Sequence, residues 1–320
     1  LISPTGSGKS LMIYAITRYH TEYKRSTLII VPTTSLVEQM YKDFIDYGWD
    51  ADTYCHKIYA GKDLLSQKQV IISTWQSIYK LPKTWFEKFD VVIGDEAHQF
   101  KSKSLVSIMT KLYDTKYRYG FTGTLDGTQT HKWVLEGLFG PSYKIINTRE
   151  LQEKGYLAKL NIKVLLLKHD PTTFDTYQDE IEYLIGHEKR NKFIKNLSWD
   201  LKGNTLILYS RVATHGEVLY DIINKVERKI FFVHGGVDVE ERESVRQITE
   251  KEDNAIIIAS FGTFSTGINI KNLHNVIFAS PSKSRIRTLQ SIGRVLRKSK
   301  DKLNATLYDI ADDCKKGSKQ

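Results

Sequence analysis

Three clusters of side chains in this chain have the types and spacing for phosphate chemistry. The first is Ser3-Pro4-Thr5-Gly6-Ser7-Gly8-Lys9-Ser10, directly after Leu1-Ile2 and directly before Leu11-Met12-Ile13-Tyr14-Ala15-Ile16. Glycines at 6 and 8 permit φ > 0, which turns successive backbone N–H groups inward as a nest for an anion. The positive end of a following helix adds to the attraction. Thr5, Gly6, Ser7 and Gly8 would line a phosphate chain, Lys9 would reach its outer phosphates, and the Ser10 hydroxyl would hold Mg²⁺. The full pattern has glycine where this chain has Ser3. The second cluster is Asp95-Glu96, directly after the apolar run Val91-Val92-Ile93-Gly94. There Asp95 can share the metal with Ser10, and Glu96 can orient and polarise an attacking water. The third is Gln290-Ser291-Ile292-Gly293-Arg294-Val295-Leu296-Arg297. Arg294 and Arg297 are three apart and share one helix face. Such a face commonly meets solvent or nucleic acid; guanidiniums from a separate domain can also neutralise charge developing on a γ-phosphate.

The elements that must hold these clusters are strands. Leu28–Val31 is a continuous apolar run of the kind parallel strands show, and Val70–Ile72, Val91–Gly94 and Tyr117–Phe121 read as further strands. Each ends in polar residues: Pro32-Thr33-Thr34-Ser35, Ser73-Thr74-Trp75-Gln76, Asp95-Glu96-Ala97-His98 and Thr122-Gly123-Thr124. In open α/β sheets ligands gather at the carboxyl ends of strands. A second alternating set begins near Asn161, with strand candidates at 206–210, 230–233, 255–259 and 275–279 and no phosphate loop of its own. Between the halves, Asn147-Thr148-Arg149-Glu150 reads as a helix start with Glu at N3, and Gly155 as a stop. The spacing predicts two α/β domains, 1–155 and 156–320. His234-Gly235-Gly236 reads as a plain strand-to-helix turn, and the Lys-rich tail after Cys314 as a solvated end.

The composition, 41% hydrophobic and 26% charged over 320 residues, is that of a water-soluble chain without a membrane-spanning run. A formal charge of +10 favours a polyanionic partner, because each neutralised phosphate releases counterions. The two cysteines suggest neither a disulfide framework nor a zinc site, so a reducing cytoplasm is expected. Leu1 is not an initiator Met, and the chain opens almost inside a motif, so it reads as a piece of something longer.

The ordered set Ser3–Ser10, Pro32–Gln39, Asp95–His98, Thr122–Thr124, Ser260–Ile270 and Gln290–Arg297 resembles superfamily-two DExH helicases across nearly the whole chain. Ile29–Thr34, Ser73–Gln76, Phe264–Ile268 and Ile292–Lys298 are similar to the UvsW-type DNA helicases of T4-like phages. The resemblance implies two RecA-like domains, each a parallel sheet flanked by helices, with ATP in the cleft between them. It implies single-stranded nucleic acid across their tops and ATP-driven remodelling of branched DNA (forks, Holliday junctions, D-loops and R-loops) in recombination and repair, in a bacterial host's cytoplasm if the source is a phage. It gives Lys9 and Ser10 the phosphate and Mg²⁺ roles, and Asp95 and Glu96 the metal and water roles. Gln290 would sit near the attacking water, with Arg294 and Arg297 on the γ-phosphate. His98 and Thr122-Gly123-Thr124 would relay nucleotide state. Gly267 and Asn269 would touch nucleotide from the second domain, although the family more often has Asp at the latter position. Thr33, Thr74 and Thr263 would contact backbone phosphates, which position a strand without reading its sequence. An RNA helicase and a phosphate-loop ATPase acting on proteins are the alternatives.

Overall fold

In the computed structural model the chain forms two compact units, Leu1–Leu151 and Gln152–Gln320. The residues described are 1–59, 63–123, 125, 127–267, 270–281, 288, 291–293, 296, 302 and 304–314, without the side chains of 239 and 265–267. No described helix is long and apolar enough to cross a membrane.

The first unit is built on β1 (Thr27–Val31), β2 (Cys55–Ile58), β3 (Val70–Thr74), β4 (Val91–Gly94) and β5 (Tyr117–Gly120). They lie in the order β2-β3-β1-β4-β5, and every pairing is parallel. β1, β3 and β4 are buried along their whole length, which is why they read as continuous apolar runs and not as alternating ones. Ile29 and Val31 of β1 pack into one cluster with Ile13, Val37 and Phe44 from covering helices. Leu28 and Ile30 pack into another, with Phe86, Leu105 and Ile108, on the opposite face. Register sets Ile30 beside both Ser73 and Gly94, and Gly94 beside Gly120. The polar segments after β1, β3, β4 and β5 therefore leave the sheet side by side at one edge.

The second unit holds β6 (Lys159–Lys168), β7 (Thr205–Tyr209), β8 (Ile230–Val233), β9 (Ile256–Ser260), β10 (Asn275–Phe278) and β11 (Asn304–Asp313). Their order is β6-β11-β10-β7-β9-β8, again parallel throughout. Alternate residues of β7 and β9 supply two cores, one with Leu206, Leu208 and Ile257 and one with Ile207, Tyr209 and Ile258. At the end of the first unit the helix Thr148–Glu153 is started by Asn147, whose Oδ1 accepts the Glu150 N–H at 2.8 Å. Gly155 then turns the chain at φ +74°.

Candidate active site

The phosphate loop is held at its root by pairing. Ser3 N–H donates to Thr122 O at 2.9 Å, and Ile2 bridges both Thr122 and Lys144. Gly6 and Gly8 adopt φ +83° and +85°, a region that costs any residue with a Cβ. Gly8 starts the helix Lys9–Glu22, which has no side-chain cap, so its first N–H groups point into the loop. Ser3 takes no left-handed conformation. Its hydroxyl lies 2.5 Å from that of Ser7, which also bonds Pro4 O at 2.6 Å. The serine thus ties the two ends of the loop together where the motif's glycine would leave space.

Lys9 Nζ folds back to Ser3 O at 3.4 Å. A Cβ on Gly123 would sit 3.4 Å from that ammonium and 3.7 Å from Thr5 N, so the turn after β5 lies directly against the loop. Ser10 Oγ is 3.0 Å from the Tyr47 hydroxyl. Nothing local in the sequence marks Tyr47, which reaches Ser10 across 37 residues.

At the end of β4, Asp95 is buried, and its N–H donates to Ile30 O at 2.9 Å. Burial, and then the charge on Glu96, push its carboxyl up to about 6; Lys9 and the Glu96 N–H on Asp95 Oδ1 pull the other way. Glu96 is held at φ +49°, a conformation rare for a residue with a side chain and costing about 1–3 kcal/mol. That twist brings Glu96 Oε2 to 3.2 Å from His98 Nδ1, which is also 3.1 Å from Thr122 Oγ1. A carboxylate only accepts, so His98 Nδ1 carries the proton. His131 Nε2 donates to His98 O at 2.9 Å and steadies the turn. One connected set thus runs from Glu96 through His98 and Thr122 to the base of the phosphate loop.

The raised Asp95 pKa carries a stability prediction. A carboxyl whose folded pKa lies above its ordinary value loses folding stability as pH rises between the two, here from about 4 to about 6. Asp95→Asn lacks that loss. Without ligand it should melt higher than the wild type at pH 7–8, by about 2–4 °C for each kcal/mol relieved. The gap should close near pH 4, and thermal melts across this range check it.

The three threonines have local duties. Thr33 starts the helix Thr34–Asp46 and accepts the Leu36 N–H at 3.4 Å. Thr74 is buried at the end of β3, 2.9 Å from Ser77 Oγ. Thr263 is buried, 2.8 Å from Ser260 Oγ. Gly267 ends the helix Phe261–Gly267. Asn269, Gln290, Arg294 and Arg297 lie outside the described residues, as does Thr124.

The second unit contains a buried polar relay that sequence reasoning missed. After β7, Gly216 N–H donates to Arg211 O at 2.9 Å, closing a π-turn over Val212–Gly216. A Cβ on Gly216 would sit 2.5 Å from the Tyr209 ring, so only glycine fits there. The turn buries His215 between Ser280 Oγ at 2.9 Å and Asn191 Oδ1 at 3.3 Å. Ser280 Oγ accepts the Ser210 N–H at 3.1 Å, and Asn191 Nδ2 donates to Ile185 O at 2.8 Å. Asn191 Oδ1 only accepts, so the His215 proton sits on Nε2 and Nδ1 accepts from Ser280. Burial, then Arg190, push the imidazole down to about 3, which keeps it neutral. The relay ties the carboxyl ends of β7 and β10 to the helix Glu188–Asp200. His215→Leu orphans both partners, at about 1–3 kcal/mol each, whereas His215→Gln retains one acceptor and one donor. The Leu protein should melt well below the wild type and the Gln protein close to it. Equal melting of Leu and wild type would contradict the relay.

Residues 1–127 match the family described as type III restriction enzyme, res subunit. Residues 188–299 match the helicase conserved C-terminal domain. Along 97% of its length the chain is 38% identical to the ATP-dependent DNA helicase uvsW of Enterobacteria phage T4. By these matches the chain is similar to superfamily-two helicases. It covers 64% of the phage protein, less than two thirds of that relative's length. Two solved structures share the fold. A putative HsdR fragment of a type I restriction enzyme from Vibrio vulnificus matches 97% of this chain and 59% of its own at a TM-score of 0.72 and 18% identity. The type ISP restriction-modification enzyme LlaBIII, solved bound to DNA, matches 96% and 26% at 0.67 and 16%. The two parallel sheets thus have the RecA-like fold of those structures.

Proposed function

We propose that this chain is the two-domain motor, 1–155 and 156–320, of an ATP-dependent DNA helicase or translocase that remodels branched DNA: forks, Holliday junctions, D-loops and R-loops. The observation that carries the reading is the phosphate loop bonded to the strand end that also receives Glu96 and His98. The 38% identity to the phage T4 DNA helicase supports DNA as the track.

The residues present fit ATP with Mg²⁺. The open, left-handed Gly8 leaves space for a phosphate, and a buried carboxyl beside a second one calls for a cation. Mg²⁺, when bound, would withdraw charge from the outer phosphates. Ser10 and Asp95 would hold it, with Ser10 giving up its bond to Tyr47. Lys9 would leave Ser3 O for the phosphates. Glu96, kept in place by His98, would orient the attacking water and take its proton. Arg294 and Arg297 would stabilise the developing charge only once the second domain closes, so a strand bound to both domains would control turnover.

The test is ATP hydrolysis against matched lengths of single-stranded, duplex, forked and four-way DNA and of RNA. DNA should stimulate, branched forms included. Stimulation by RNA alone would make this an RNA helicase, because the 2′-OH is the distinguishing group. Stimulation by protein and by no nucleic acid would place it among ATPases that act on proteins.

A further inference from the structure

The amino ends of the first sheet carry an organised row of cations that the motor site does not use. Lys24 and Arg25 precede β1, Lys68 precedes β3, Lys88 precedes β4 and Lys116 precedes β5. Because these strands are neighbours in the order β3-β1-β4-β5, the cations follow one another along one edge. Short bonds join their segments: Asp90 N–H to Ser26 O at 3.0 Å, Tyr117 N–H to Asp90 O at 3.1 Å, Thr27 N–H to Gln69 O at 2.9 Å and Thr115 Oγ1 to Phe89 O at 3.0 Å.

Aromatic rings underlie the charges. Arg25 and Lys116 share the Tyr117 ring, at 4.4 and 5.5 Å from its centroid, and Arg25 also lies 5.0 Å from the Tyr23 ring. Lys88 sits 5.1 Å from the centre of Trp85. Rings beneath a cation hold it without neutralising it. Lys24 adopts φ +57°, where glycine would be less strained, yet the position carries a charge. The acids nearby are engaged: Glu22 pairs with Arg18, Glu87 and Asp114 face Lys83, and Asp90 accepts the Ser26 N–H. Lys24, Lys88 and Lys116 are exposed, as are Tyr19, Tyr23 and Tyr113. The helix Lys9–Glu22, 14 residues long, separates the row from the phosphate loop by roughly 20 Å, about the width of a DNA duplex.

The geometry points to a second nucleic-acid surface here, which takes the phosphate backbone of another arm of a branched DNA while the carboxyl edge of the sheet serves the tracked strand. The inference rests on the DNA-motor reading and deepens it. It assigns branch preference to Lys24, Arg25, Lys88 and Lys116, none of which belongs to the hydrolytic site. Such contacts read charge and spacing and carry no base information.

The experiment compares the chain with its Lys24→Ala, Lys88→Ala, Lys116→Ala triple variant on two probes: a four-way DNA junction, and an oligothymidylate too short to span both edges. Each phosphate contact contributes about 0.9 to the slope of log affinity against log salt, so the junction slope should shrink by about 2–3. Oligothymidylate affinity, and hydrolysis stimulated by it, should stay within about twofold. The corresponding Lys→Arg triple should behave as the wild type on both. An unchanged junction slope, an equal loss on both probes, or a loss that Arg does not rescue would each overturn the second surface. Failure of oligothymidylate to stimulate the wild type would overturn the motor reading instead, a result the junction slopes do not produce.

Discussion

Glu96→Gln should bind ATP·Mg²⁺ at least as well as the wild type and lose about 10²–10⁴ in kcat, the usual contribution of a positioned base. The substitution is nearly isosteric. Gln Oε1 can still accept from His98 Nδ1, so the contact at 3.2 Å and the left-handed turn at residue 96 persist. What disappears is the charge. Removing it also removes the second-largest cause of the raised Asp95 pKa, so Asp95 ionises more readily and holds a cation more firmly. Binding and turnover therefore move apart. Equilibrium titration of a fluorescent ATP analogue, beside steady-state hydrolysis, reads both. A kcat within about threefold of wild type would take Glu96 out of the water-activating role.

Arg297→Ala should spare ATP affinity and abolish the nucleic-acid-stimulated part of hydrolysis, by about 10³–10⁵. In the proposed function ground-state binding would rest on the loop: the Gly6 and Gly8 backbone, Lys9 and the start of the helix Lys9–Glu22 all belong to the first unit. In the proposed function the arginine would act only on charge that develops as the bond to the γ-phosphate breaks, so its removal should fall on kcat and not on binding. Basal turnover without nucleic acid should change little. If DNA still stimulates the variant, closure does not deliver Arg297 to the phosphates.

How far the fold could be read depended on burial. β1, β3, β4 and β7 are covered on both faces, and an unbroken apolar run is what that environment selects. β2, with Cys-His-Lys-Ile, lies at the edge of its sheet and shows no such run. β11 carries Asp309, Asp312 and Asp313 among its apolar residues, and Asp312 spends its charge on Arg190 at 2.9 Å and His169 at 2.8 Å. Neither partner is near it in sequence, so the strand was not recognisable from its own composition. The glycine-rich turn before the helix Lys9–Glu22 and the Asp95-Glu96 pair after β4 could be placed from the sequence because each is a local pattern at a strand end. The Ser3–Ser7 bond, the Tyr47 hydroxyl on Ser10 and the His215 relay could not. The first depends on a rotamer, and the other two join segments 37 and 65 residues apart. The π-turn is an instance of tertiary contact overriding propensity, since its register follows from Gly216 fitting against Tyr209.

In the proposed function a bound strand would close the two domains and so complete the hydrolytic site. The most direct test is the distance between them. Cys55 and Cys314 are buried, so cysteines introduced at exposed Thr110 and Glu227 would take a donor–acceptor dye pair selectively. In the Glu96→Gln background, energy transfer should rise sharply when ATP·Mg²⁺ and single-stranded DNA are present together, and only slightly with either alone. Transfer that stays flat under all conditions, or rises fully with ATP alone, would rule out closure driven by the strand.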